Sequence, residues 1–169
     1  VDLALICLNI TGYNLGTYLL QKRILPVKLI LICGGAVSIT GFLISSFTTN
    51  FTLFIIFYGC IGALGCGICY MTALVVSWEH FPARKGLVTG IIDGSYGLGS
   101  LAYVQIARAV VNPDNLDATI DSGQKDLKYF DDRVAKNVPL MLRILALIWA
   151  IQILVAVVLI HKAAQVAVL

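Results

Sequence analysis

Five apolar runs, each close to the length a helix needs to cross a bilayer, constrain this chain more than any other feature. A hydrocarbon core about 30 Å thick takes about 20 residues of helix. Runs of that size fall at about 3–21, 27–47, 51–76, 86–108 and 138–160. Each is too long for an ordinary strand and nearly free of charge. Composition agrees: 59% of the 169 residues are hydrophobic and 12% charged, with a mean hydropathy of +0.92. Soluble domains carry about 25% charged residues. The expected fold class is all-α, a polytopic membrane protein with five transmembrane helices in a single transmembrane domain over 1–169.

The connections alternate in character. The first, QKRILPVK, carries Lys22, Arg23 and Lys28, and the third, WEHFPARKG, carries Arg84 and Lys85. His161 and Lys162 follow the last run, whereas SSFTTNFT, the second connection, has no charge. Basic residues gather on the inner face of membrane proteins. The pattern therefore places the amino end outside and the carboxyl end inside. Asn50-Phe51-Thr52 is a formal glycosylation sequon on the outer side, almost at the membrane surface. The polar outer loop, 111–137, holds six aspartates against Lys125, Lys128, Arg133 and Lys136. It reads as a solvated loop with one short helix near 124–136, or as a docking surface for a partner. The chain opens at Val1 inside an apolar run with no basic segment before it. That reads as a piece whose upstream part is missing or removed, not as a signal peptide. Plasma membrane and an inner organellar membrane, such as the mitochondrial inner membrane, fit equally well.

Several function classes find no support. Cys7, Cys33, Cys60, Cys66 and Cys69 all lie in apolar runs and read as small packing residues. The Cys66/Cys69 pair lacks the histidines of a zinc site and the βαβ setting of a redox motif. His80 and His161 stand at membrane boundaries away from any triad partner. GALGCG at 62–67 follows no strand, so it is no dinucleotide loop. No enzyme, metal or cofactor is expected, and the short basic clusters give no nucleic-acid footprint.

The run at 86–108 carries the most information. At 100° per residue, Asp93, Tyr96, Ser100 and Tyr103 share one face. Gly86, Gly90, Gly94 and Gly97, with Gly99 following, gather about a quarter-turn away and offer a smooth face to a neighbouring helix. Asp93 lies about 10 Å in from the basic end at 1.5 Å per residue. A charge in mid-bilayer costs on the order of 2.5–3.5 kcal/mol on insertion scales, so such an acid faces a wet cavity, finds a partner or stays protonated. It is a candidate for the substrate or proton pathway, with a structural acid as the alternative. The first run has a thinner stripe of Asp2, Asn9, Tyr13 and Gly16. Arg108 and Arg143 stand near outer helix ends, where long side chains snorkel. Turned inward, they would be anion contacts.

In the third connection Pro82 ends one helix and Gly86 opens the next, making a tight inner hinge. Trp78 and Phe81 suit the interfacial aromatic belt. With Arg84-Lys85-Gly86, Gly90, Gly94 and Gly97-Leu98-Gly99-Ser100, these residues resemble the major facilitator superfamily, in its monocarboxylate-porter and oxalate/formate-antiporter-like branch. There the connection reads W-F-P-x-R-R-G, and the next helix ends G-x-G-L-G-S. Two residues, Glu79 and His80, are inserted here between the Trp and the Phe. GCIGALGCGICY at 59–70 is similar to the small-residue helix preceding that connection. The likeness is densest over 58–104. It implies helices two to six of a twelve-helix carrier that rocks two halves about a midplane site.

Two positions depart from the family pattern. Its first inner loop resembles G-x-x-x-D-R-x-G-R-R; Arg23 and Lys28 are kept, but Lys22 stands for the acid and Leu25 for the glycine. Tyr58 replaces an arginine common in the following-but-one helix. The resemblance implies a fragment of a secondary transporter for small organic anions such as monocarboxylates, with protons as a possible co-substrate. Its partners would be the lipid bilayer and the missing carrier half. The alternative is a transporter-derived structural subunit of a larger membrane complex, with other membrane subunits as partners and no transport.

Overall fold

The computed structural model describes residues 2–116, 119–120, 128–130 and 132–166. Five long helices account for nearly all of it: α1 (Asp2–Gln21), α2 (Val27–Ser45), α3 (Phe51–His80), α4 (Lys85–Val111) and α5 (Val138–Val166). By length and composition α2, α3 and the stretch Asp132–Ile160 are apolar enough to cross a membrane. Polar residues spaced along α4 (Asp93, Gln105, Arg108) set it apart from these three. The protein is an integral membrane protein built of helices, with one two-residue strand pair among the described residues.

Helix ends follow local chemistry. α1 stops in a Schellman arrangement: Arg23 N–H donates to Leu20 O at 3.0 Å and Ile24 N–H to Leu19 O at 3.1 Å. Arg23 takes the left-handed position with φ 50°, where glycine is usual. Pro26 then sets up α2, and Lys28 sits in its first turn. Asn50 caps α3, its side chain accepting from Thr52 N–H at 2.9 Å, so the sequon asparagine serves as a helix cap. α3 runs past the expected end at 76 to His80, because backbone bonding continues through the charged residues until Phe81-Pro82 stops it.

The core lies where α3 packs on α1 and α2, with α5 against the far side of α2. Glycines make this possible. A Cβ on Gly67 would come within 2.5 Å of Asn9 O, and one on Gly65 would run into Gly34 O and Ser38 Oγ. Ser38 and Thr72 are fully buried, their hydroxyls returned to backbone carbonyls: Ser38 to Gly34 O and Gly62 O at 3.3 Å, Thr72 to Ile68 O at 2.7 Å. Between Ile55 and Ile61 α3 widens into a π-helical segment. There Tyr58 stacks on Phe54 with ring centres 5.2 Å apart and tilts against Phe42.

α4 stands apart from this core. None of its residues is buried, and a Cβ on Gly86, Gly90, Gly94, Gly97 or Gly99 would meet nothing within 4 Å. The packing role expected of these glycines is not played toward any described part of this chain. α4 and α5 carry many exposed apolar residues, among them Leu98 and Leu154.

In the 111–137 loop, Asn137 Nδ2 donates to Val111 O at 3.1 Å, which joins the loop's two ends. Thr119–Ile120 pairs antiparallel with Lys128–Tyr129, and Asp132–Ala135 forms one helical turn. The expected helix near 124–136 is thus confined to its last part among the described residues. Its stretch at 124–127 lies outside them.

Candidate functional site: an acidic cleft between α1, α3 and α4

Asn9, Tyr13, Cys66, Tyr70, Asp93 and Tyr96 line a cleft of about 240 Å³. Helical spacing explains the set. Asn9 and Tyr13 are four apart on α1, Cys66 and Tyr70 four apart on α3, and Asp93 and Tyr96 three apart on α4. The glycine contacts bring α1 and α3 close enough to present both pairs together. Across the gap, Tyr70 Oη donates to Asp93 Oδ1 at 2.5 Å. This is the only hydrogen bond the carboxylate accepts among the described residues. Tyr70 also packs on Tyr13 at 5.4 Å between ring centres and edge-on to Tyr96 at 6.1 Å. Asn9 Oδ1 is buried without a hydrogen-bond partner among the described residues.

The expected polar stripe divides. Asp93 and Tyr96 reach the cleft with Asn9 and Tyr13. Tyr103 turns to α5, donating to Gln152 Oε1 at 2.5 Å and lying 6.4 Å from the Trp149 ring. Ser100 Oγ folds back to Gly97 O at 2.7 Å on its own helix. Asp2 lies in the first turn of α1, outside the residues whose side chains are described. Neither arginine lines the cleft: Arg108 Nη2 donates to Asn115 Oδ1 at 3.1 Å, and Arg143 Nε donates to Ser46 Oγ at 3.3 Å with its guanidinium over Phe47. Tyr70 and Cys66 were hidden in sequence inside an apolar run; the signal was their four-residue spacing on the face that meets Asp93.

The connection between α3 and α4 is compact. Pro82–Arg84 forms a single 3-10 turn, with Arg84 N–H donating to Phe81 O at 3.0 Å. Trp78 Nε1 donates to Thr89 Oγ1 at 2.9 Å, tying the end of α3 to the first turns of α4. Phe81 and the basic pair Arg84-Lys85 are exposed at this end.

The family match and the relatives place this bundle of apolar helices in a class: an integral membrane protein of the major-facilitator type, similar to monocarboxylate porters. Within that class the chain belongs to the Nodulin-like family, whose sequence model matches residues 8–120. It is similar to apicoplast pyruvate carrier 1 of Toxoplasma gondii, with 26% identity over 127 residues covering 73% of this chain and 23% of that protein. Monocarboxylate transporter 9 of Gallus gallus is 29% identical over 80 residues, covering 47% and 16% respectively. For monocarboxylate transporter 10 of Homo sapiens the identity is 29% over 89 residues, covering 53% and 17%. The chain spans about a fifth of the length of these curated relatives. No solved structure matches it.

Proposed function

We propose that this chain is part of a secondary transporter of small organic anions such as monocarboxylates, with Asp93 as its proton-coupling acid. The observation that carries the reading is the Tyr70–Asp93 pair at the cleft, on helices of a chain whose relatives are named as pyruvate and monocarboxylate carriers. An ionised Asp93 repels a carboxylate that enters the cleft. A proton on Asp93 removes that repulsion and supplies an O–H donor, so proton and anion load together. Alternating access then carries both across as helix bundles rock about the midplane. Trp78, Phe81, Pro82, Arg84, Lys85 and Gly86 form the inner hinge of this motion, and Arg23 and Lys28 the first inner loop.

The test is uptake of radiolabelled pyruvate by the purified protein in proteoliposomes, against protein-free vesicles. Uptake above that baseline, raised by an inward proton gradient, is expected. Uptake equal to the baseline rejects the reading.

One observation favours the structural-subunit alternative. The inner loop lacks its acid, and Arg23 is held in a helix cap at φ 50°. Comigration of the protein with a large complex on native gels, together with no uptake, selects that alternative.

A further inference from the structure

At the end of α4 away from Arg84-Lys85, two adjoining cavities lie outside the Asp93 cleft. One, of about 560 Å³, is mostly apolar, lined by Val104, Ala107 and Val111 of α4 with Phe130 and Val134 of the following loop. The other, of about 490 Å³, is more polar and includes Gln105. Arg108, Asn112 and Asn115 line both, and Arg108 is the one charged residue on either among the described residues. The shared wall is fixed by hydrogen bonds. Asn112 clamps Leu116 in both directions, Nδ2 donating to Leu116 O and Oδ1 accepting from Leu116 N–H, each at 2.9 Å. Asn115 takes φ 50° in this fold-back, and its Oδ1 accepts from Arg108 Nη2 at 3.1 Å. That is the only hydrogen bond of the guanidinium among the described residues, and a guanidinium has five N–H donors.

Depth points to the ligand. Lys85 and Arg108 stand at opposite ends of α4, about 35 Å apart at 1.5 Å per residue, against a hydrocarbon core of about 30 Å. Arg108 thus lies at headgroup level with an apolar slot beside it. A soluble anion would leave the slot empty, and an uncharged lipid would leave the guanidinium donors unused. Asp114 and Asp132 line neither cavity, so no described acid is placed to offset a headgroup ammonium. We infer that this is a binding site for an anionic phospholipid of the surrounding bilayer, its phosphate on Arg108 and part of one acyl chain along Ala107, Phe130 and Val134. Arginine binds phosphate through paired, charge-assisted hydrogen bonds.

Native mass spectrometry of the protein in detergent, titrated with dioleoyl phosphatidylglycerol or dioleoyl phosphatidylcholine, tests the site. The first phosphatidylglycerol should bind about tenfold more tightly than phosphatidylcholine, and Arg108→Gln should lose about tenfold for phosphatidylglycerol. Arg143→Gln removes the same charge at the same end of the bundle, from a side chain tied to Ser46, and should change affinity by less than about twofold. Ala107→Phe fills the slot and should weaken phosphatidylglycerol about fivefold. Equal affinity for the two lipids overturns the inference, as do equal losses in Arg108→Gln and Arg143→Gln. Unchanged phosphatidylglycerol affinity in Ala107→Phe also overturns it. Displacement of bound phosphatidylglycerol by excess inorganic phosphate would mark a soluble-anion site and overturn it too. The comparison of lipids on the wild type decides even if Arg108→Gln does not fold.

Discussion

Two sets of glycines, on adjacent helices joined by one short turn, do opposite things. Those of α3 are pressed into α1 and α2: at Gly65 and Gly67 the neighbouring backbone occupies the space a side chain would need. Those of α4 face nothing within 4 Å. The same residue type at similar spacing thus makes a closed core in one place and an open face in the other. Glycine spacing says that a helix can be approached closely, not that it is. What decides is the polar content. Both helices return hydroxyls to backbone carbonyls, but α4 also carries Asp93, and the cleft opens on that residue.

The contrast can be broken most severely in the core. Gly67→Leu would force α1 away from α3, and overpacking of this kind costs about 1–3 kcal/mol or more. Loss of a folded, monodisperse protein in detergent is expected. Gly94→Leu on the open face should leave thermal stability within about 0.5 kcal/mol of the parent, as surface changes do. Equal damage from both would mean that the α4 face is covered as tightly as the core.

A smaller effect is expected where α4 is tied across. Tyr70→Phe removes the bond to Asp93, and hydrogen bonds to charged groups contribute about 1.5–3 kcal/mol. The exposure of Asp93 places the loss toward the low end of that range, read as a lowered melting temperature. Thr89→Val breaks the Trp78 contact at the hinge and should cost about 0.5–1.5 kcal/mol. An unchanged melting temperature in both variants would show that neither tie holds α4. The smallest change has the opposite sign. Arg23→Gly removes a side chain from a left-handed cap and should stabilise by up to about 1 kcal/mol.

Helix number and approximate limits were legible in sequence because bilayer thickness sets a length that charge and proline then punctuate. The ends of α3 and α4 were less so, since hydropathy stops at the first charges while backbone hydrogen bonding continues to His80 and Val111. Asp93, Tyr96, Asn9 and Tyr13 could be found from one-face spacing on single helices. Tyr70 could not, because its importance depends on which face of α3 turns to α4, a matter of packing between elements. Ser100 and Tyr103 share a helical face with Asp93 yet leave the cleft. One bonds its own backbone and the other reaches α5, alternatives that periodicity cannot separate.

The central claim is that Asp93 carries the proton that moves with the solute. Proton flux measured with a pH-sensitive dye trapped in proteoliposomes, during addition of pyruvate, tests it most directly. The account predicts pyruvate-dependent acidification of the vesicle lumen in the wild type and its loss, by about tenfold or more, in Asp93→Asn. Pyruvate-coupled proton flux of wild-type size in Asp93→Asn would contradict it.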